Sequence, residues 1–83
     1  MFEIMIFVPS DRPREPRLPS RRVEADLRER LARGEWESGE RLPSVAELAA
    51  QYGVARSTVA SALKRMEADG LIEIISNWGT FKT

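Results

Sequence analysis

Apolar and polar positions alternate with two different periods along this chain, and each period predicts its own elements. Val23, Leu27 and Leu31 recur at i, i+4 and i+8 with charged residues between them, which is one buried helical stripe. Ser20 stands before it as N-cap and Gly34 after it as a stop. A second helix is predicted from Ser44, where Glu47 three positions later completes a capping box; Val45, Leu48, Ala49 and Tyr52 form its inner face and Gly53 ends it. Val54 and Ala55 leave a very short turn before a third helix. There Val59, Leu63 and Met66 share one side, Arg56, Ser57, Ala60, Ser61 and Lys64 share another, and Gly70 is the expected residue just past the end. Between the first two helices, Arg41-Leu42-Pro43 must be extended, because the residue before a proline is driven out of the helical region.

Strand patterns occupy both ends. Leu71 to Ile75 reads as a strand, Ser76-Asn77-Trp78-Gly79 as a turn, and Thr80 to Lys82 as the returning strand of a hairpin. Phe2 to Val8 (FEIMIFV) is aromatic and β-branched with only Glu3 polar, a strand that needs a partner. Ser10 to Pro19 holds three prolines and three arginines and reads as an extended linker. The predicted organisation is therefore an N-terminal strand and linker over residues 1–19 and one domain over 20–83.

Composition narrows the chemistry. A chain of 83 residues, 42% hydrophobic and 31% charged, holds one small core. It has neither Cys nor His, which removes disulfides, thiol nucleophiles, zinc fingers and imidazole acid/base catalysis together. No paired carboxylates or metal-ligand set occurs at useful spacing, so neither an enzyme nor a bound cofactor or metal is expected. The longest apolar run, Ile4 to Pro9, is far short of the roughly 20 residues a bilayer crossing needs. Glu3 replaces the basic start of a signal peptide, and a cytoplasmic location is expected.

Thirteen Lys and Arg balance thirteen Asp and Glu, so net charge by itself argues mildly against a nucleic-acid partner. The placement of charge argues the other way. From Arg41 to Met66 there are Arg41, Arg56, Lys64 and Arg65 against Glu47 alone, while acids gather at Glu35, Glu37 and Glu40 and at Glu67, Asp69 and Glu73. One face of a neutral molecule can thus be basic.

The spacing around Tyr52-Gly53-Val54 makes helices two and three a helix-turn-helix: Ala49 is small at the crossing, Gly53 permits the turn, and Val54, Val59 and Ala62 close the inner side. Such a unit aims the start of its second helix outward. Arg56, Ser57 and Thr58 sit there, an arginine suited to a guanine edge beside hydroxyls suited to phosphate. With the hairpin, the expected fold is mainly α with a small β-hairpin, a winged helix-turn-helix. Helical hairpins with a glycine turn also occur without touching DNA, so the spacing alone leaves a purely structural unit open.

Several linked runs carry a family resemblance: Gly39 to Ala49 (GERLPSVAELA), Tyr52 to Val59 (YGVARSTV), Leu63 to Ile72 (LKRMEADGLI) and Trp78 to Phe81 (WGTF). Together, over about Val23 to Phe81, the chain resembles the DNA-binding domain of GntR-family bacterial transcriptional regulators. The resemblance implies a regulator of transcription, a repressor by preference, that binds a palindromic double-stranded DNA operator as a homodimer. It would set helix three in the major groove and the wing in or beside the minor groove. By that match Arg56 opens the recognition helix, Ser57 and Thr58 are its hydroxyl neighbours, Ser44 meets phosphate, and Gly79-Thr80 is the wing's Gly-Thr. Ala46 and Ala60 stand where many members carry further DNA-contacting arginines, Ala55 replaces a Ser or Thr cap, and Asn77-Trp78 makes a bulky wing tip. The family's long C-terminal effector domain has no counterpart after the wing, so no small-molecule effector site is expected.

The expected DNA-binding set is Arg41, Ser44, Arg56, Ser57, Thr58, Ser61, Lys64, Arg65, Asn77, Trp78, Gly79 and Thr80. Within it Arg41, Lys64 and Arg65 are weighed between phosphate contact and ordinary surface charge, and Trp78 between DNA and a packing partner. Arg21 and Arg22 are read as a solvated face and Trp36 as a core or rim aromatic. The competing reading is a protein-interaction module that recruits a partner by pairing with the Phe2–Val8 strand, which is also the favoured contact between subunits of a dimer, with packing within its own chain as the alternative.

Overall fold

The computed structural model describes residues 18–83. The Phe2–Val8 strand and the linker as far as Arg17 lie outside the described residues. Three helices follow, α1 (Pro19–Ala32), α2 (Val45–Tyr52) and α3 (Arg56–Ala68), then two strands, β1 (Ile72–Ile75) and β2 (Gly79–Lys82).

Helix α1 begins earlier than its hydroxyl cap suggests. Leu18, not Ser20, is the N-cap residue, extended at φ −76°, ψ 134°, and no side chain caps the helix. Pro19 explains the shift: it forces Leu18 out of the helical region, its own φ already suits a first helical turn, and it has no N–H to satisfy. The N–H groups of Arg21 and Arg22 donate to the Leu18 carbonyl at 3.0 and 3.1 Å.

At the other end Gly34 takes φ +82°. Its N–H donates to the Leu31 carbonyl at 3.0 Å, and that of Glu35 to the Arg30 carbonyl at 3.1 Å, which together satisfy the last orphan carbonyls of α1. Gly70 closes α3 in the same way, with Gly70 and Leu71 donating to Glu67 and Met66.

The core is the one the periodicities predict. Val23, Leu27 and Leu31 of α1 meet Leu48 and Ala49 of α2 and Val59, Ala62, Leu63 and Met66 of α3, joined by Trp36, Leu42 and Ile72. Val45 and Tyr52 are partly buried at its margin. At roughly 1.5–3 kcal/mol for each large apolar side chain removed from water, this cluster is the main source of stability.

The hairpin pairs antiparallel with Ile72 opposite Lys82 and Ile75 opposite Gly79. Its strands therefore differ by one residue from the sequence reading: Leu71 precedes β1, Gly79 belongs to β2, and the loop is Ser76–Trp78. The free edge of β2 is occupied by the segment before α2. Gly39 N–H donates to the Lys82 carbonyl at 2.7 Å, Lys82 N–H to the Glu40 carbonyl at 3.0 Å, and Leu42 N–H to the Thr80 carbonyl at 2.8 Å. Pro43, without an N–H, stops this pairing. The sequence predicted an extended Arg41–Pro43 but not this partner. The result is a winged helix-turn-helix whose wing is anchored on both edges of β2.

Polar bonds fix α1 against its neighbours. Glu24, buried on α1, accepts from Arg28 Nε at 2.9 Å and from Arg65 Nε of α3 at 2.6 Å, and Arg28 also bonds Asp69. Tyr52 at the end of α2 donates to Asp26 and accepts from Arg30 at 2.9 Å; Arg30 also bonds Glu35 and lies 4.7 Å from the centre of the Trp36 ring. Trp36 is thus a buried aromatic, as expected.

Candidate nucleic-acid interface

Helix α2 is started by reciprocal bonds: Ser44 Oγ accepts from Glu47 N–H at 3.1 Å, and Glu47 Oε1 accepts from Ser44 N–H at 2.8 Å. Those bonds hold the Glu47 carboxyl below its ordinary range, the backbone donor of Ser44 contributing most. The only acid of the Arg41–Met66 stretch is therefore spent on a cap. Helix α2 ends at Gly53, left-handed at φ 67°, ψ 37°, and Val54 N–H donates back to the Ala49 carbonyl. Only Gly53, Val54 and Ala55 separate α2 from α3.

Helix α3 has Ala55 as N-cap and no side-chain cap. Thr58 and Val59 N–H groups donate to the Ala55 carbonyl at 3.1 and 3.3 Å, which leaves the first-turn donors of Arg56 and Ser57 facing outward at the positive end of the helix. With Val59, Ala62, Leu63 and Met66 buried, the opposite side presents Arg56, Ser57, Ala60, Ser61 and Lys64 to solvent, and Thr58 lies half-buried at its border. Among the described residues, no ion pair involves Arg41, Arg56 or Lys64.

Arg65 is turned elsewhere. Its guanidinium is bonded to Glu24 of α1, which draws it from the border of the exposed face of α3 toward α1. Weighed between phosphate contact and surface charge, it is bonded here to a carboxylate of α1. The sequence weighed only phosphate contact against ordinary surface charge, and position 65, between the two faces of the helix, gave no sign of the Glu24 partner.

The wing tip is held by a Trp78 N–H bond to the Ile75 carbonyl at 3.0 Å, with Asn77 left-handed at φ 68°. Gly79 has φ +130°, and a Cβ there would come 2.6 Å from Arg41 Nε. The missing side chain is what lets Arg41 lie across the wing. A shallow groove of about 280 Å³ brings together Arg41, Ser44, Asn77, Trp78, Gly79 and Thr80, half of the expected set, from two separate segments. Thr80 is only 6% exposed and its carbonyl receives Leu42, so it holds the wing together rather than presenting an outward contact. The groove also includes Ile74 and Ile75, which sequence reasoning passed over. The signal was available: in LIEII both faces carry isoleucine, and a two-stranded ribbon cannot bury both.

The chain is similar in sequence and fold to known proteins. The profile described as "Bacterial regulatory proteins, gntR family" matches residues 19–81. The histidine utilization repressor of Klebsiella aerogenes is 37% identical over 60 residues, covering 72% of this chain and 25% of that protein. An uncharacterized HTH-type transcriptional regulator of Bacillus subtilis (strain 168), YdfD, is 44% identical over 54 residues, covering 65% of this chain and 11% of its own. The chain thus spans about a tenth to a quarter of the length of these relatives. Among solved structures, the DNA-binding domain of AraR in complex with operator ORE1 superposes with a TM-score of 0.77 at 25% identity, covering 78% of this chain and 79% of that one.

Proposed function

The chain belongs to the bacterial gntR family of regulatory proteins, and from that premise we propose that it binds double-stranded operator DNA and represses transcription. In this reading α3 enters the major groove and the wing lies at the minor groove. Arg56 reads a base edge, Ser57, Thr58 and Ser61 support it, and Lys64, Arg41 and Ser44 meet phosphates, with Asn77, Trp78 and Gly79 at the wing.

The observation that carries the reading is the outward face of α3. It presents Arg56 and Lys64 without an ion-pair partner among the described residues, on a helix packed on the core and tied to α1 by the Glu24–Arg65 bond. The solved complexes of AraR with operators support it by likeness. The activity needs no catalysis, and a cytoplasmic location suits it.

A palindromic operator asks for two copies related by a two-fold axis. The homodimer is part of the proposal, with pairing of Phe2–Val8 between subunits as its contact. The rival reading, in which that segment recruits a different protein, has no support from the relatives, which are named as regulators and repressors.

Selection of bound sequences from a random duplex pool by the full chain tests the function. A single enriched motif with two-fold symmetry is expected. Enrichment of nothing over repeated rounds rejects DNA recognition.

A further inference from the structure

The wing has an apolar edge that the other described residues leave exposed. Trp78 is 71% exposed at the hairpin tip, and Ile74 and Ile75 just before the turn are 38% and 39% exposed. The backbone beneath them is set by the left-handed Asn77, the Trp78 to Ile75 bond and the Ile75–Gly79 pair. An indole is therefore projected from a defined turn. Beside it lies Arg41, whose course across Gly79 is possible only because that residue has no side chain.

Contact with phosphate alone needs charge and donors, and Arg41 and Ser44 supply both in the same groove. It draws nothing from the apolar faces of Trp78, Ile74 and Ile75. An apolar side chain next to a cation fits a different target: the step between two base pairs, which opens when a hydrophobic wedge enters, while the cation holds the adjoining phosphate. The groove contains no acidic residue that would repel the backbone. We propose that Trp78 is such a wedge, with Arg41 held on the flanking phosphate, so that the wing selects operators by how readily one step kinks. The proposal rests on the DNA-binding reading above and extends it to readout by deformability. Flexible pyrimidine–purine steps are the ones it favours.

The test uses the full chain and duplexes that it selects from a random pool, with Trp78→Ala, Trp78→Phe and Arg41→Ala beside the wild type. Affinity is read against salt, DNA bending by gel mobility of circularly permuted fragments, and Trp78 accessibility by acrylamide quenching, taken as the difference between wild type and Trp78→Phe. Trp78→Ala is expected to weaken binding by about 5- to 100-fold, as loss of one aromatic–base contact does, and to reduce the bend while leaving the salt dependence unchanged. Trp78→Phe keeps most of the bend, and Arg41→Ala flattens the salt dependence instead. In the free chain Trp78 is quenched readily, and DNA protects it.

Equal affinity and bend in wild type and Trp78→Ala overturn the wedge. So does protection of Trp78 before DNA is added, which means that another part of this chain or a second copy covers it. If the wild type enriches no sequence at all, the DNA reading itself has failed, a result distinct from a chain that binds DNA without bending it.

Discussion

Glu24 on α1 and Arg65 on α3, 41 residues apart in sequence, are joined at 2.6 Å through a carboxylate whose side chain is only 9% exposed. This bond ties α3 to α1 at the border of the face that Val59, Ala62, Leu63 and Met66 bury. Burial raises the pKa of Glu24, but the bonds from Arg65 and Arg28 outweigh it, and the net value lies below the ordinary 4.5.

Replacing Glu24 with Gln should therefore destabilise the domain by about 2 kcal/mol, because Arg65 exchanges an anionic acceptor for a neutral amide oxygen while Arg28 keeps Asp69. The sign with pH follows from the lowered value. The stabilisation is complete above the ordinary glutamate range and is lost as pH falls through the lower folded value. Thermal midpoints of the wild type should drop on acidification more steeply than those of Glu24→Gln; parallel curves would show that the pair contributes little.

Arg56→Ala should cost roughly 1–3 kcal/mol of operator affinity and relax selectivity at one position in each half-site. Fold stability should not change, since Arg56 is exposed at the start of α3. Equal binding by mutant and wild type at matched salt would remove it from the interface.

Two arginines that look alike in sequence should separate by salt. Arg41→Ala should lower the slope of log affinity against log salt by about one, as expected for one lost phosphate contact. Arg65→Ala should leave the slope in place and lower the unfolding midpoint, because its partner is Glu24. A reversed pattern would return Arg65 to the DNA face.

Gly53 and Gly70 have φ of +67° and +79° with open space where a Cβ would stand, so a substitution there meets backbone strain and no clash. Val at either site should cost more than about 1 kcal/mol, whereas Asn, which tolerates the left-handed region, should cost less. Denaturant midpoints decide the matter, and an unchanged midpoint for Gly53→Val would contradict the turn.

In the homodimer proposed above, deletion of Met1–Pro9 is expected to leave a monomer and to weaken the proposed operator binding while the helical circular dichroism stays intact. The reason is the pattern FEIMIFV, apolar on both faces of a strand apart from Glu3, which needs cover in any folded state. Sedimentation of the full chain as a monomer at tens of micromolar would reject this contact.

What the sequence determined by itself is whatever a few neighbouring residues control. The Ser44–Glu47 cap, the left-handed glycines at 34, 53 and 70, and the stripes from Val23 to Leu31 and Val59 to Met66 act within one or two helical turns. The three helices, their core and the outward Arg56 were therefore legible in residue spacing alone, and the start of α1 was misjudged only by weighing a hydroxyl cap above Pro19. The tertiary structure decided the pairs that join distant segments: Arg65 with Glu24, Leu42 with Thr80, and Arg41 across Gly79. Local pattern could not reveal them, because an arginine on the border of a helix has the same spacing whether it turns to an acid on another helix or to a phosphate. Which way it turns depends on where packing puts a buried carboxylate some 40 residues earlier in the chain.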